Sequence, residues 1–210
     1  MKYIRFFKLD TFLFIFWLSI TFIISCTTIT PQMTADSCIL FKEKKFWYDD
    51  TKDSYDKWGV PISLQLAIIN QESSFNQFAK PERKKLFKLI PWKRPSSAFG
   101  YAQVVDPTWD WYKTKTGNKN ASRANFADIT DFIGWYVVQS ENMVGIKKDD
   151  AFNQYLAYHE GQMGWKKKTY QDKNWLINAA RNVEKKSLIY NSQLKECEEK
   201  LNKKGLFGFL

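Results

Sequence analysis

The sequence has little of the chemistry that most metal and nucleophile sites need. Its 210 residues include one histidine, His159, and three cysteines, Cys26, Cys38 and Cys197. One imidazole and three thiols cannot build the usual His-rich or Cys-rich zinc sites, so we predict no metal and no other cofactor. A Ser–His–Asp triad would depend on His159, and the sequence has neither a Gly-x-Ser-x-Gly elbow nor a Gly-rich phosphate loop before a helix. The best remaining catalytic candidate is a carboxylate.

Acidic residues are also few relative to basic ones. The chain has 22 Asp and Glu against 32 Lys and Arg, which gives a net charge of +10. A basic protein is attracted to polyanions such as cell-wall polymers, acidic lipid head groups and nucleic acid. Charge alone does not choose among these partners, but the N-terminal pattern argues for export and therefore against nucleic acid.

The N-terminus has the pattern of an export signal. Basic residues at positions 2, 5 and 8 precede an apolar run over residues 11–24, which is long enough for a secretory signal and short for a spanning helix. The run ends in Ile-Ile-Ser-Cys, which resembles the bacterial lipoprotein signal. That resemblance implies cleavage after Ser25 and a lipid on Cys26. An uncleaved membrane anchor is the alternative, and both arrangements export the chain and tether it to a membrane.

The same resemblance implies how the chain is organised. We divide it into a signal peptide over residues 1–25, a linker after the lipidated cysteine over residues 26–37, and one domain over residues 38–205. Thr27 is not the aspartate associated with inner-membrane retention, so we expect a lipid-anchored, periplasm-facing protein of the cell envelope, in the outer membrane. In an oxidising compartment Cys38 and Cys197 are a disulfide candidate, and two buried free thiols are the alternative.

Helical periodicity dominates the domain and predicts an all-α fold. Apolar residues recur at helical spacing, with helix-stop glycines at Gly59, Gly117 and Gly145. The predicted helices cover residues 38–58, 62–72, 106–116, 128–144 and 150–159, followed by a C-terminal helix. The last helix carries an apolar stripe, and we expect it to be bent or broken near Ser187. Because the stripe lacks large apolar residues at Ala180 and Ser187, we expect packing across the domain's own helices rather than in a coiled-coil dimer.

Residues 79–99 differ from the helical remainder. They contain three prolines and seven basic residues against one acidic residue, which is typical of an exposed loop. A solvated surface loop is the simplest interpretation. The functional alternative is that the basic segment 80–94 contacts an anionic polymer, a membrane or a partner in a cell-envelope assembly.

Glu72 is the carboxylate whose position is unusual. It ends the run "ISLQLAIINQE", residues 62–72, which is apolar nearly all round, as in a buried central helix. If the carboxyl group is buried there, its ionised form is disfavoured and its pKa is raised, so that it can act as a general acid. The alternative is a glutamate that lies past the helix end in solvent.

Three short motifs decide between these interpretations. They are "QESSF" at residues 71–75, "GYAQ" at residues 100–103 followed by "DPT" at 106–108, and "AYHEG" at residues 157–161. In this order they resemble the SLT-type lytic transglycosylases, lysozyme-like enzymes that cleave peptidoglycan. The resemblance covers about residues 55–165. The chain departs from the family pattern at Tyr101 and Ala102, at His159 in place of the usual asparagine, and in the longer, more basic 79–99 segment.

The resemblance implies a lysozyme-like helical domain with a substrate cleft and with Glu72 as the sole acid and base. Glu72 would cleave the β-1,4 bond between N-acetylmuramic acid and N-acetylglucosamine of peptidoglycan glycan strands, leaving a 1,6-anhydromuramyl end. Ser73 would orient Glu72 or bind an acetamido group, and Gln103 would bind substrate amides. Tyr158 would lie over the cleft and position Glu72. Tyr101 and His159 complete the expected substrate-binding set, although His159 could equally be a plain surface residue.

Other functions remain open at this point. A muramidase of the same fold would hydrolyse the bond, and Asp106 or Glu160 would then have to assist water. A peptidoglycan-binding lipoprotein on an inactive enzyme fold would not need Glu72. A surface adaptor for a secretion machine would use the basic segment as its docking face.

Overall fold

The computed structural model describes residues 28–83, 85–86, 90–91 and 93–207, and it describes residues 85–86, 90–91 and 203–207 by their backbone alone. The predicted signal peptide and Cys26 lie outside the described residues. The described part is all-α, as predicted, apart from one two-stranded hairpin. Its elements are α1 (Pro31–Ala35), α2 (Ser37–Glu43), α3 (Lys45–Trp58), α4 (Ile62–Ser73), β1 (Lys85–Leu86), β2 (Ile90–Pro91), α5 (Asp106–Thr116), α6 (Phe126–Val144), α7 (Ala151–Glu160), α8 (Gln162–Lys166) and α9 (Asn174–Phe207).

Helix α4 is the buried centre of the domain. Every residue from Ile62 to Ile69 is buried, which confirms the prediction from its apolar sequence. Helix α9 packs along it, and α3 and α6 also contact it. The one amide in this run, Gln65, donates from Nε2 to the carbonyls of Thr51 at 3.3 Å and Val60 at 3.0 Å, so its burial is partly compensated. A helix covered on all sides leaves only its ends for chemistry, and Glu72 lies at the C-terminal end.

Helices α3 and α6 pack closely through a small residue and a shared carboxylate. A Cβ atom at Gly134 of α6 would lie 2.5 Å from the Trp58 ring, so glycine permits this approach. Asp131 accepts hydrogen bonds from Lys57 at 2.7 Å, Trp58 Nε1 at 2.8 Å and Tyr112 at 2.6 Å, which joins α3, α5 and α6. Helix α6 begins at Phe126 rather than at residue 128, because Asn125 caps it by accepting from the Asp128 amide.

The C-terminal helix runs from Asn174 to Phe207 in one piece, so the predicted break near Ser187 is wrong. The Ser187 hydroxyl donates to the Ser63 hydroxyl of α4 at 3.3 Å. Two small polar residues meet where α9 contacts α4, so the gap in the apolar stripe marks a helix contact and not a break. The predicted packing against the domain's own helices is confirmed, since α9 contacts α2, α4 and α7.

The folded part begins earlier than the predicted linker allowed. Thr30 caps α1, and Met33 of that helix is buried with 3% of its surface exposed. The carbonyl of Thr34 accepts a 2.5 Å hydrogen bond from Tyr190 of α9. Residues 31–35 are therefore helical, Asp36 joins this helix to α2, and the stretch bonds to α9. Within the described chain only residues 28–30 remain as a linker. The sequence of this stretch is Thr-rich and polar, so it does not predict that Met33 is buried.

Cys38 and Cys197 form a disulfide with Cα atoms 6.0 Å apart. It joins α2 to the last turns of α9. Elsewhere, the predicted exposed loop contains the antiparallel hairpin, in which Lys85 pairs with Pro91 and Leu86 with Ile90. Among the residues described, no helix combines the length and apolar character needed to cross a membrane.

Removal of this disulfide should destabilise the domain strongly. The bond spans 159 positions, and closing so long a loop restricts the unfolded chain. We expect Cys38→Ala with Cys197→Ala to lower the free energy of unfolding by about 3–5 kcal/mol. Urea denaturation of both proteins under non-reducing conditions measures this, and a reductant should lower the wild-type midpoint only. An unchanged midpoint in the double variant would contradict the expectation.

Candidate active site

Glu72 lies in the last turn of α4, and the chain turns sharply directly after it. Ser74 and Phe75 both adopt left-handed conformations, with φ of 50° and 64°. Such a conformation is unfavourable for a bulky residue. Phe75 is nevertheless buried with 2% exposure, and its ring stacks on Trp47 with centroids 5.8 Å apart. Burial of this ring fixes the reversal directly after Glu72, so the carboxylate lies at a defined helix end.

The carboxyl group of Glu72 lies deep in the protein, although the side chain is partly accessible. Burial raises its pKa to about 7, and the hydrogen bond from Tyr155 acts in the opposite direction. The Tyr155 hydroxyl donates to Glu72 Oε1 at 2.8 Å. A carboxyl group of this pKa is largely protonated just below neutral pH and can donate its proton to a ligand that reaches it.

Tyr155, which the sequence analysis missed, is the tyrosine that contacts the carboxylate. Tyr158, which we predicted for this role, donates instead to the carbonyl of Ala102 at 2.6 Å. The two rings stack with centroids 6.3 Å apart, and Tyr155 is 4% exposed. Tyr158 thus fixes the "GYAQ" segment and supports Tyr155 from the side. Residues three apart share a helix face, so the sequence "YLAY" did contain the signal for both tyrosines.

Ser73 and Tyr101 make contacts within the protein beside the helix end that carries Glu72. The Ser73 hydroxyl donates to the Tyr101 carbonyl at 2.6 Å and accepts from the Asn76 amide at 3.1 Å. Its proton is therefore used within the protein and is not available to an acetamido group. Tyr101 is buried with 6% exposure, and its ring lies edge-on to Trp47 and Phe126. Both residues therefore help to hold the helix end that carries Glu72. For Ser73 this is close to the orienting role predicted for it, and substrate binding by either residue stays a prediction.

The side chain of Gln103 also bonds to backbone carbonyls near the site. It adopts a left-handed conformation with φ of 47°, and its Nε2 donates to the carbonyls of Ala79 and Gly100, each at 2.9 Å. Both N–H bonds of the amide are thus used by backbone carbonyls. The predicted hydrogen bond to a substrate amide stays a prediction. The Oε1 atom is the part of this amide that can still accept from a substrate N–H.

His159 is exposed, and its neighbour Glu160 contacts the His159 ring and the Lys173 ammonium group. His159 Nδ1 lies 3.1 Å from Glu160 Oε1, and Lys173 Nζ lies 2.7 Å from the same oxygen. Burial by itself would raise the pKa of Glu160, but hydrogen bonds from Lys173, Thr169 and His159 outweigh it and lower the pKa to about 2. Asp106 pairs with Arg123 at 2.7 Å. Within the part that the structure describes, neither Asp106 nor Glu160 bonds to Glu72.

A separate groove of about 480 Å³ lies behind Tyr101. Trp47, Asp50, Gln77, Tyr101 and Phe126 line it, and Glu72 and Tyr155 do not. Burial raises the pKa of Asp50 to about 6, and the neighbouring acids Asp53, Asp49 and Asp128 add to this effect. In the described part of the chain, no group of three or more His, Cys, Asp or Glu side chains is placed to hold a metal ion.

The comparisons with known proteins fit this geometry. A comparison with curated proteins finds no match. The family model described as Transglycosylase SLT domain matches residues 14–197, most of the chain. This match includes the helix end that carries Glu72 and the three motifs that surround it. The all-α architecture agrees with the lysozyme-like domain predicted from sequence. The chain therefore belongs to the family of transglycosylase SLT domains, whose activity is that of peptidoglycan lytic transglycosylases.

Proposed function

We propose that this protein is a membrane-tethered lytic transglycosylase that cleaves the β-1,4 bond between N-acetylmuramic acid and N-acetylglucosamine, with Glu72 as sole acid and base. The observation that carries the proposal is the carboxyl group of Glu72 at an accessible helix end, with a pKa of about 7 and a bond to Tyr155. A buried acid of this kind is suited to protonating a leaving oxygen at neutral pH.

The reaction needs two proton transfers at one carboxyl group. Tyr155 donates to Oε1, which leaves Oε2 to carry the proton. Glu72 gives that proton to the glycosidic oxygen while the bond from this oxygen to the muramyl C1 breaks. The 6-hydroxyl of the same muramyl residue then attacks C1 and gives its proton to the Glu72 carboxylate. The products are a free 4-hydroxyl on one fragment and a 1,6-anhydro ring on the other, and no water is consumed.

A single carboxylate is sufficient for this route because the nucleophile belongs to the substrate. A hydrolase needs a second carboxylate, either about 5–5.5 Å or about 6.5–9.5 Å from the acid. Asp106 and Glu160, the two acids that could have assisted water, are held in ion pairs with Arg123 and Lys173. An intramolecular hydroxyl acts at a high effective concentration and can outcompete water.

The identity of the products tests this proposal. We would digest purified peptidoglycan with the full chain and weigh the released muropeptides by mass spectrometry, beside the Glu72→Gln variant. Products one water lighter than hydrolytic muropeptides, and absent with the variant, are expected. Hydrolytic products would replace the proposal with a muramidase. If the folded protein binds the wall and releases no products, it is a peptidoglycan-binding lipoprotein and not an enzyme of this kind.

The tether is a further part of the proposal. Residues 1–25 would direct export, and a lipid on Cys26 would hold the domain at the periplasmic face of the outer membrane. The Cys38–Cys197 disulfide supports an oxidising compartment. The basic segment 80–94 would face an anionic envelope polymer or an assembly partner. We expect Cys26→Ser to move the protein from the membrane fraction to the soluble fraction, and retention in the membrane would favour an uncleaved anchor.

The proposed acid predicts how the rate depends on pH. Because the protonated form of Glu72 starts the reaction, kcat/KM should be level at acidic pH and fall about tenfold per pH unit above a pKa of about 7. Initial rates of release of anhydromuropeptides between pH 5 and 9 measure this limb. A rate that rises through pH 8 would show that Glu72 is not the starting acid.

Tyr155→Phe should shift the falling part of this pH profile in a defined direction. The hydrogen bond from Tyr155 lowers the pKa of Glu72, so its removal should raise that pKa and shift the falling limb to higher pH. The matched control is Tyr158→Phe on the same helix, which loses a bond to the Ala102 carbonyl and should leave the limb in place. An equal shift in both variants would point to a general change in packing.

A further inference from the structure

An exposed tryptophan at the start of α9 is not used by the proposed chemistry. Trp175 is 59% exposed, and its ring lies edge-on to His159 with centroids 5.0 Å apart and planes at 77°. We propose that Trp175 and His159 form a sugar-binding subsite on the rim of the cleft, on which a pyranose ring of the glycan strand stacks. This inference rests on the proposed function, because it assumes a glycan substrate.

The position of His159 relative to the acid supports this assignment. Tyr155 bonds to Glu72, and His159 follows it by four residues on the same helix. Residues four apart on a helix share a face and are separated by about 6 Å along the axis. His159 therefore extends the face that meets Glu72 by one turn toward solvent. Trp175 continues this line on the neighbouring helix, and α7 and α9 pack against each other.

The two rings are supported by a network around Glu160. Its carboxylate contacts His159 Nδ1 at 3.1 Å, accepts from Lys173 Nζ at 2.7 Å and 2.8 Å, and accepts from the Thr169 hydroxyl. Lys173 lies two residues before Trp175, so this network ties the end of α7 to the start of α9. With 6% of its side chain exposed, Glu160 makes these contacts away from bulk solvent. Such support keeps an exposed ring in place before a ligand arrives, which lowers the entropic cost of binding.

The chemistry of Trp175 suits a sugar. Its ring offers a broad apolar face, which can cover the C–H face of a pyranose ring. Its indole N–H makes no hydrogen bond with any residue that the structure describes, so it can donate to a sugar hydroxyl. Leu188, on the same helix, is similarly exposed at 66%, but its side chain has neither an aromatic ring nor an N–H donor. Exposure alone therefore does not define the subsite, and Leu188 provides a matched control.

The test separates binding from cleavage. We would measure binding of glycan strands, freed of stem peptides, to the full chain carrying Glu72→Gln, and then add Trp175→Ala, Trp175→Phe or Leu188→Ala. We expect Trp175→Ala to weaken binding about tenfold. Trp175→Phe should restore most of it, and Leu188→Ala should have no effect. With Glu72 intact, Trp175→Ala should raise KM and leave kcat nearly unchanged.

The outcomes distinguish the two proposals. Unchanged strand binding and KM in folded Trp175→Ala would overturn the subsite while leaving the transglycosylase intact. A loss that appears only with strands that carry stem peptides would also overturn it, since the ligand would then be peptide. If the protein binds strands through Trp175 but cleaves nothing, the proposed reaction is wrong and the sugar-binding subsite stands.

Discussion

Glu72→Gln should abolish cleavage and at the same time make the folded domain more stable at alkaline pH. Glutamine keeps the shape of the side chain and can still accept from Tyr155, but it has no proton to give. We expect kcat to fall by about 10³-fold or more, since a positioned general acid contributes about 10²–10⁴-fold and this carboxyl group also serves as the base. Quantified release of anhydromuropeptides measures the loss, and a variant within tenfold of wild type would remove Glu72 from the mechanism.

The gain in stability follows from the direction of the pKa shift. The pKa of Glu72 is about 7 in the folded chain and 4.5 for an unperturbed group. The folded state therefore binds the proton more tightly, and its stability falls as pH rises from the unfolded pKa through the folded one. The cost of ionising Glu72 is on the order of 3 kcal/mol by pH 8. Urea denaturation should show equal stability of variant and wild type near pH 4 and a more stable variant at pH 8.

Gly100→Ala is expected to lower the free energy of unfolding strongly, although it adds only one methyl group. Gly100 has φ of 79°, and a Cβ there would lie 2.0 Å from the Arg123 carbonyl oxygen. The backbone cannot yield easily, because the Gly100 amide donates to Ala79 and the Tyr101 amide donates to Arg123. The left-handed conformation and the overlap together should cost about 3–5 kcal/mol of unfolding free energy.

A matched variant separates the two causes. Gly145 has nearly the same φ, 77°, but nothing lies within 4 Å of its added Cβ. Gly145→Ala should therefore cost only the conformational part, about 1–2 kcal/mol. Urea denaturation of both variants measures the difference. Equal losses would mean that the contact with Arg123 relaxes freely. Because the Tyr101 carbonyl holds Ser73, we also expect Gly100→Ala to lower activity in whatever protein remains folded.

The central helix could be predicted from sequence because it depends on a local pattern, whereas its terminal acid is predicted through the motifs that accompany it. An uninterrupted apolar run needs a partner on every side, and the structure surrounds α4 with α3, α6 and α9. Position alone leaves Glu72 either buried or past the helix end in solvent, and the resemblance carried by the three motifs favours the buried acid. Its raised pKa is the expected consequence of burial.

The partners of the acid could not be assigned in the same way. Tyr155 and Tyr158 lie three residues apart on one helix, and the rotation of that helix decides which hydroxyl reaches Glu72. That rotation is set by packing between distant segments. Ser73 and Gln103 have side chains that suit a substrate, but the left-handed turns around them leave backbone carbonyls that need donors. The Ser73 and Gln103 donors bond to these carbonyls within the loop, and the sequence motifs alone do not show this.

The long last helix has a consequence for the order in which this chain can fold. Ser63 of α4 meets Ser187 of α9 across 124 positions, and the disulfide spans a still longer stretch. Until α9 has been synthesised, the apolar surface of α4 lacks its largest covering element. Closing contacts of such separation is slow compared with forming local helices. Helix α4 is therefore made before the element that covers it, and the surroundings of Glu72 are complete only after α9 has been made.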